Sequence, residues 1–158
     1  MLHRFGFDAS FHDVINVWQE DGWDEEYNTV LPETTTAYAK DAAQRFPRKR
    51  LIVHYMQPHY PFLDSSVKFD KRHLHREDSD TLGFWEEIFR GRMEVPMDEI
   101  WRLYRETLRQ TLPHVEEAMT EIAGKVVVTS DHGNMVGERS FPIPHTEWGH
   151  PPRIYTPE

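Results

Sequence analysis

The sequence predicts an α/β fold with a largely parallel sheet, on three observations. Two short apolar runs, Leu51-Ile52-Val53 and Val126-Val127-Val128, are continuous rather than alternating, the pattern of strands covered on both faces. Helical spacing fills the chain before and between them. The resulting order of strand, helix, strand, insertion, helix, strand is the alternation of a parallel α/β domain.

In chain order, Phe11–Trp18 ("FHDVINVW") is a short β-prone run, and the acidic "QEDGWDEEYNTV" after it reads as loop. Pro32–Phe46 combines a Pro-Glu start with alanines and helically spaced apolar residues, so it predicts a helix that Pro47 ends. Lys49–Met56 is the first strong strand. Residues 58–80 are irregular and rich in His, Asp, Lys and Pro, which suggests a surface excursion, part of an insertion or lid over about residues 60–95. "TLGFWEEIFRGR" predicts a short helix closed near Gly91. The clearest helix starts near Met97-Asp98, with Ile100, Tyr104, Leu108, Leu112, Val115, Met119 and Ile122 marking its apolar stripe. Pro113 should kink or divide it, and Gly124 should end it. Lys125–Thr129 is the second strong strand, and everything beyond Asp131 reads as loop. No repeat and no composition break marks a linker, so residues 1–158 read as one domain.

Composition bounds the function. The hydrophobic share of 38% supports a core, and the absence of cysteine removes disulfides, thiolate ligands and a Cys nucleophile. A formal charge of −9, with only five of 18 basic residues being Lys, argues against nucleic acid as the main partner. No apolar run approaches the roughly 20 residues of a membrane span. The N-terminus lacks the pattern of a signal peptide, so a soluble, cytoplasmic protein is expected.

Ligand sites of α/β folds gather where strands end. Both strong strands run into loops rich in polar chemistry. After Val128 come Ser130, Asp131, His132 and Gly133. Carboxylate oxygen and imidazole nitrogen are ligands for Zn²⁺ or Mn²⁺, and Gly133 permits the bend that would let neighbours share an ion. The same residues also fit an Asx-type turn. His59 lies between Pro58 and Pro61, which could fix its imidazole to bind an oxyanion or protonate a leaving group, or it is an ordinary loop histidine. His150, between Gly149 and two prolines, sits in another stiff loop. His54 falls inside the strand pattern and reads as a core residue or a support for the site. His73, His75 and His145 read as surface residues, and Trp18, Trp23, Trp85 and Trp101 as packing.

Together, "HYMQPHYPF", the Tyr104-bearing helix, "GKVVVTSDHGNMVGE" and "WGHPPRIYTPE" resemble the sulfatase-like branch of the alkaline phosphatase superfamily, from about Lys49 onward. The resemblance implies a three-layer α/β/α sandwich with a mostly parallel sheet, incomplete relative to the family. It implies metal-dependent hydrolysis or transfer of sulfate or phosphate esters, with Asp131 and His132 as ligands to a divalent ion (Ca, Mn or Zn). His59 would face the ester, and His150 would serve as a second-metal or substrate ligand. The departures carry equal weight: the family's early acidic ligands, its Ser, Thr or modified Cys nucleophile and the Cys-x-Pro-x-Arg motif have no counterpart here, and Asn134 replaces the common Glu. The resemblance therefore implies the carboxyl part of a catalytic domain, inactive alone, with a missing N-terminal segment or a complementary chain supplying the nucleophile. The alternative is a non-catalytic module of the same fold that recognises a sulfated or phosphorylated ligand or a protein partner.

Overall fold

A computed structural model describes residues 10–63, 84–139 and 146–149. A short 3-10 turn over Val17–Gln19 stands in the region read as β-prone. Strands β1 (Trp23–Asp24) and β2 (Thr29–Val30) then form a small antiparallel ladder. Asp24 closes their connection, its Oδ1 accepting from the N–H groups of Glu26 and Tyr27 at 2.9 and 2.8 Å. The carboxylate thus replaces a turn hydrogen bond, the reason Asp favours such positions.

Helix α1 spans Pro32–Arg45, with Pro at its start, Glu33 in the first turn and Arg45 in the last. Each suits the unpaired N–H groups or carbonyls of its end. Helix α2 covers Phe84–Phe89, and Gly91, at φ 65°, donates its N–H to the Ile88 carbonyl at 2.9 Å as the chain turns out of it. Helix α3 runs unbroken from Met97 to Glu121. Pro113 does not divide it, because this proline lies on the exposed side, where the carbonyl one turn back remains open to water. Strands β3 (Met135–Arg139) and β4 (Thr146–Gly149) pair antiparallel in the region expected to be loop.

The three-layer sandwich with a mostly parallel sheet is not what forms. Among the described residues there are two separate two-stranded antiparallel sheets, β1-β2 and β3-β4. Neither predicted strong strand belongs to them. Residues 51–56 and 125–130 carry no ladder, and no main-chain N–H within either segment finds a partner among the described residues. Their β-branched composition favours a strand, but composition supplies only half of a ladder; the neighbouring strand must bring the other hydrogen-bonding groups. Residues 51–56 nonetheless keep a period of two. Leu51, Val53 and Tyr55 are half-buried, whereas Ile52, His54 and Met56 are exposed. His54 is therefore not a core residue. The second segment is exposed throughout, with Val127 at 77%.

Two packing regions flank α3. Its amino-terminal half joins an aromatic core in which Ile100, Leu103 and Tyr104 meet Tyr60, Phe62, Phe84, Ile88 and Val136. Trp85 and Trp148 pack against this core. The carboxyl half packs on α1 through small residues: Thr35, Thr36, Ala39 and Ala42 on one side, Thr107, Thr111 and Ala118 on the other. Thr36 fixes the register, its Oγ1 donating to the His114 carbonyl at 3.0 Å and sharing a 2.7 Å bond with the Tyr55 hydroxyl. Small residues let helices approach closely, so the larger Leu108, Leu112 and Met119 of the expected stripe turn outward and are exposed. Trp18 and Trp101 are exposed as well, against their expected packing role. No described helix is long and apolar enough to cross a membrane.

Candidate metal centre

Asp131 and His132 come directly after the unpaired valine segment, and local hydrogen bonds set both side chains. Asp131 Oδ1 accepts from the His132 N–H at 2.8 Å, which turns the carboxylate back over its neighbour. His132 Nδ1 lies 3.0 Å from the Gly133 carbonyl oxygen. A carbonyl only accepts, so Nδ1 carries the hydrogen and the neutral ring holds its lone pair on Nε2. That Nε2 sits 3.3 Å from Asp131 Oδ2. Two lone-pair atoms facing each other at this distance repel unless a cation lies with them, either a proton on Nε2 or a metal ion. The bond to the next residue's N–H is one residue shorter than an Asx turn, so one carboxylate oxygen is held against the main chain while the other faces the ring nitrogen.

Asn134, two residues further on, is a donor that the sequence pattern does not single out. Its Oδ1 is buried without a hydrogen-bond partner among the described residues. Buried carbonyl oxygens without partners are uncommon and call for a water or an ion. The carboxylate oxygen of Asp131 and the ring nitrogen of His132 are a donor pair that suits a divalent ion of intermediate hardness. Among the described residues no three His, Cys, Asp or Glu side chains gather as a ready metal cage.

His59 is held from several sides. Its N–H donates to the Met56 carbonyl at 3.1 Å, and Nδ1 donates to the Tyr60 carbonyl at 2.7 Å, leaving Nε2 as the acceptor nitrogen. The flanking Gln57–Pro58 and Tyr60–Pro61 peptides are both cis. Buried Gln57 anchors the loop by donating to the Val30 carbonyl at 2.9 Å, while Tyr60 and Phe62 enter the aromatic core. Burial pushes the Tyr60 phenol up from its ordinary value. His150, together with His73, His75 and His145, lies outside the described residues.

A cleft of about 210 Å³ lies elsewhere, lined by Tyr27, Leu31, Pro32, Glu33, Leu63, Gln110 and His114. His114 Nε2 is 3.8 Å from Glu33 and its Nδ1 is 3.9 Å from Glu117. The cleft shares no lining residue with His59 or the Asp131–His132 pair. Sequence reasoning passes over His114, because its carboxylate neighbour Glu33 comes from a distant helix and leaves no local spacing to read. No protein-family model, curated protein or solved structure matches the chain.

Proposed function

We propose that the chain carries the metal- and ester-binding edge of a metal-dependent hydrolase or transferase of sulfate or phosphate esters, and that these residues alone do not complete turnover. The observation that carries the reading is the convergence of Asp131 Oδ2 and His132 Nε2 at 3.3 Å, with Nδ1 already committed to the Gly133 carbonyl. A carbonyl bond on the remote nitrogen is the usual way in which a ligand histidine is oriented. An ion of the Ca, Mn or Zn kind held there would offset negative charge on the transferred group. His59, its Nδ1 committed to the Tyr60 carbonyl, is assigned to the ester oxygen or leaving group, to which its Nε2 would donate when protonated, and His150 is assigned to the ester or a second metal by the resemblance alone. Two protein donors fall short of the four that a structural zinc site uses, so binding by this chain is weak.

Calorimetric titration with Mn²⁺, Zn²⁺ and Ca²⁺ tests the assignment. Asp131→Ala and His132→Ala are each expected to weaken binding about tenfold or more. Identical isotherms for wild type and both variants would refute it. Aryl phosphate and aryl sulfate with metal present should bind without turnover. Robust turnover lost in Asp131→Ala would keep the metal centre but overturn the claim of incompleteness.

A further inference from the structure

The segment after α3, Lys125–Ser130, presents an interaction surface that the proposed chemistry does not use, and it ends at Asp131, which that chemistry does use. Lys125–Ser130 is exposed at every residue, and none of its main-chain N–H groups is bonded among the described residues. Val126, Val127 and Val128 are exposed by 42, 77 and 57%. Main-chain N–H groups without partners and exposed β-branched side chains together favour another extended chain, which supplies both the acceptors and a matching side-chain row.

The sequence around Val128 indicates which chain. About a two-fold axis through Val128, antiparallel pairing sets residues opposite each other whose numbers sum to 256. Val128 then meets Val128 of the partner subunit, Val127 meets Thr129 of the partner subunit, and Val126 meets Ser130 of the partner subunit. At each end Lys125 meets Asp131 of the partner subunit. The opposed residues share numbering parity, so each pair falls on one face of the ribbon. The pattern joins β-branched pairs at the centre to opposite charges at both ends, and a two-fold axis makes the contact self-complementary and closed.

We propose that this segment is the interface of a two-fold dimer of the chain, built by antiparallel pairing of residues 125–131 around Val128. The inference is independent of the metal reading and holds if Asp131 binds no ion. Sedimentation equilibrium of the full chain, in chelator so that metal plays no part, should give a reversible monomer–dimer equilibrium that closes at two. Hydrogen exchange should show alternate amides within residues 126–130 protected at high protein concentration and open on dilution. Val127→Pro changes an exposed residue and should leave the fold intact while abolishing the dimer. Lys125→Asp should weaken it about tenfold through two like-charge pairs, and adding Asp131→Lys to that variant should restore it. A monomer at all concentrations, open-ended polymers, protection only when an unrelated strand peptide is added, or no rescue by the charge exchange would each overturn the proposal.

Discussion

At the scale of single residues, the structure ties chemistry to small conformational facts. His132 offers Nε2 rather than Nδ1 because the Gly133 carbonyl occupies the other nitrogen. Gly133 therefore contributes a carbonyl as well as a bend. Gly137 is a different case, where space and backbone both demand glycine. It lies at φ 92° in the irregularity between Val136 and Glu138, and an added Cβ would come within 2.9 Å of the Trp148 ring and 3.0 Å of Met97. Gly137→Ala should destabilise the protein by about 2 kcal/mol, from left-handed strain plus displacement of the indole. Urea denaturation monitored by tryptophan fluorescence would show it as a lower midpoint, and an unchanged midpoint would mean that the β3-β4 pairing differs from the one described.

At the scale of elements, the α1–α3 contact works through hydroxyls and methyls instead of a leucine stripe. Thr36 is almost fully buried and satisfies both the Tyr55 hydroxyl and the His114 carbonyl. Thr36→Val keeps the shape and strands those partners, so a loss of about 1–3 kcal/mol is expected in chemical denaturation. A loss below a few tenths would show that water replaces the hydroxyl without cost. Lys40 spans the same helices, with Nζ 2.7 Å from Glu117 and 3.0 Å from Glu121. Its hydrogen bond, then its charge, holds the Glu117 carboxyl below the ordinary value of 4.5. A carboxyl whose value falls on folding contributes stability that is complete above its unfolded value and fades as pH drops through the folded one. Wild type should therefore lose its advantage over Lys40→Met as pH falls below 4.5, an advantage kept small by solvent and salt. Equal acid unfolding profiles would remove the pair from the account.

These elements also show what the sequence made legible. Helices over residues 32–45, 84–89 and 97–121 announce themselves through spacing, a leading proline and Gly91, because those signals are local. The buried face of α3 does not. Hydropathy marks Leu108, Leu112 and Met119, yet the neighbour that α3 meets is lined with Thr and Ala, and a single helix carries no sign of its partner's side-chain size. The strands fail for a related reason. Val126–Val128 has strand composition, but a ladder depends on a second segment whose presence no local pattern reports. β3 and β4 escape a sequence reading because their residues mix charge, glycine and aromatics, and only the packing of Trp148 and Val136 on the aromatic core makes the pairing worthwhile. At the site, Asp131 and His132 are legible as adjacent donors, whereas the buried Asn134 oxygen is not, since burial is a tertiary property.

At the scale of the whole molecule, a well-packed aromatic core and a helix pair coexist with apolar surface that nothing described covers. Ile52, Leu108, Leu112, Met119 and Val126–Val128 are all exposed. Of these, Val126–Val128 is a continuous apolar run, the kind of exposed surface that association covers. Asp131 and His132 sit at the end of one such segment, so the two proposed surfaces occupy neighbouring residues. The central claim remains chemical: Asp131 and His132 present one carboxylate oxygen and one ring nitrogen to a shared divalent cation. Substoichiometric Mn²⁺ added to the isotope-labelled chain tests it most directly, because the ion broadens resonances only near where it resides. Selective broadening of the His132 ring and of the Asp131, His132 and Gly133 amides, lost in Asp131→Ala, is the predicted result. Unbroadened resonances there, or broadening that survives Asp131→Ala unchanged, would contradict the account.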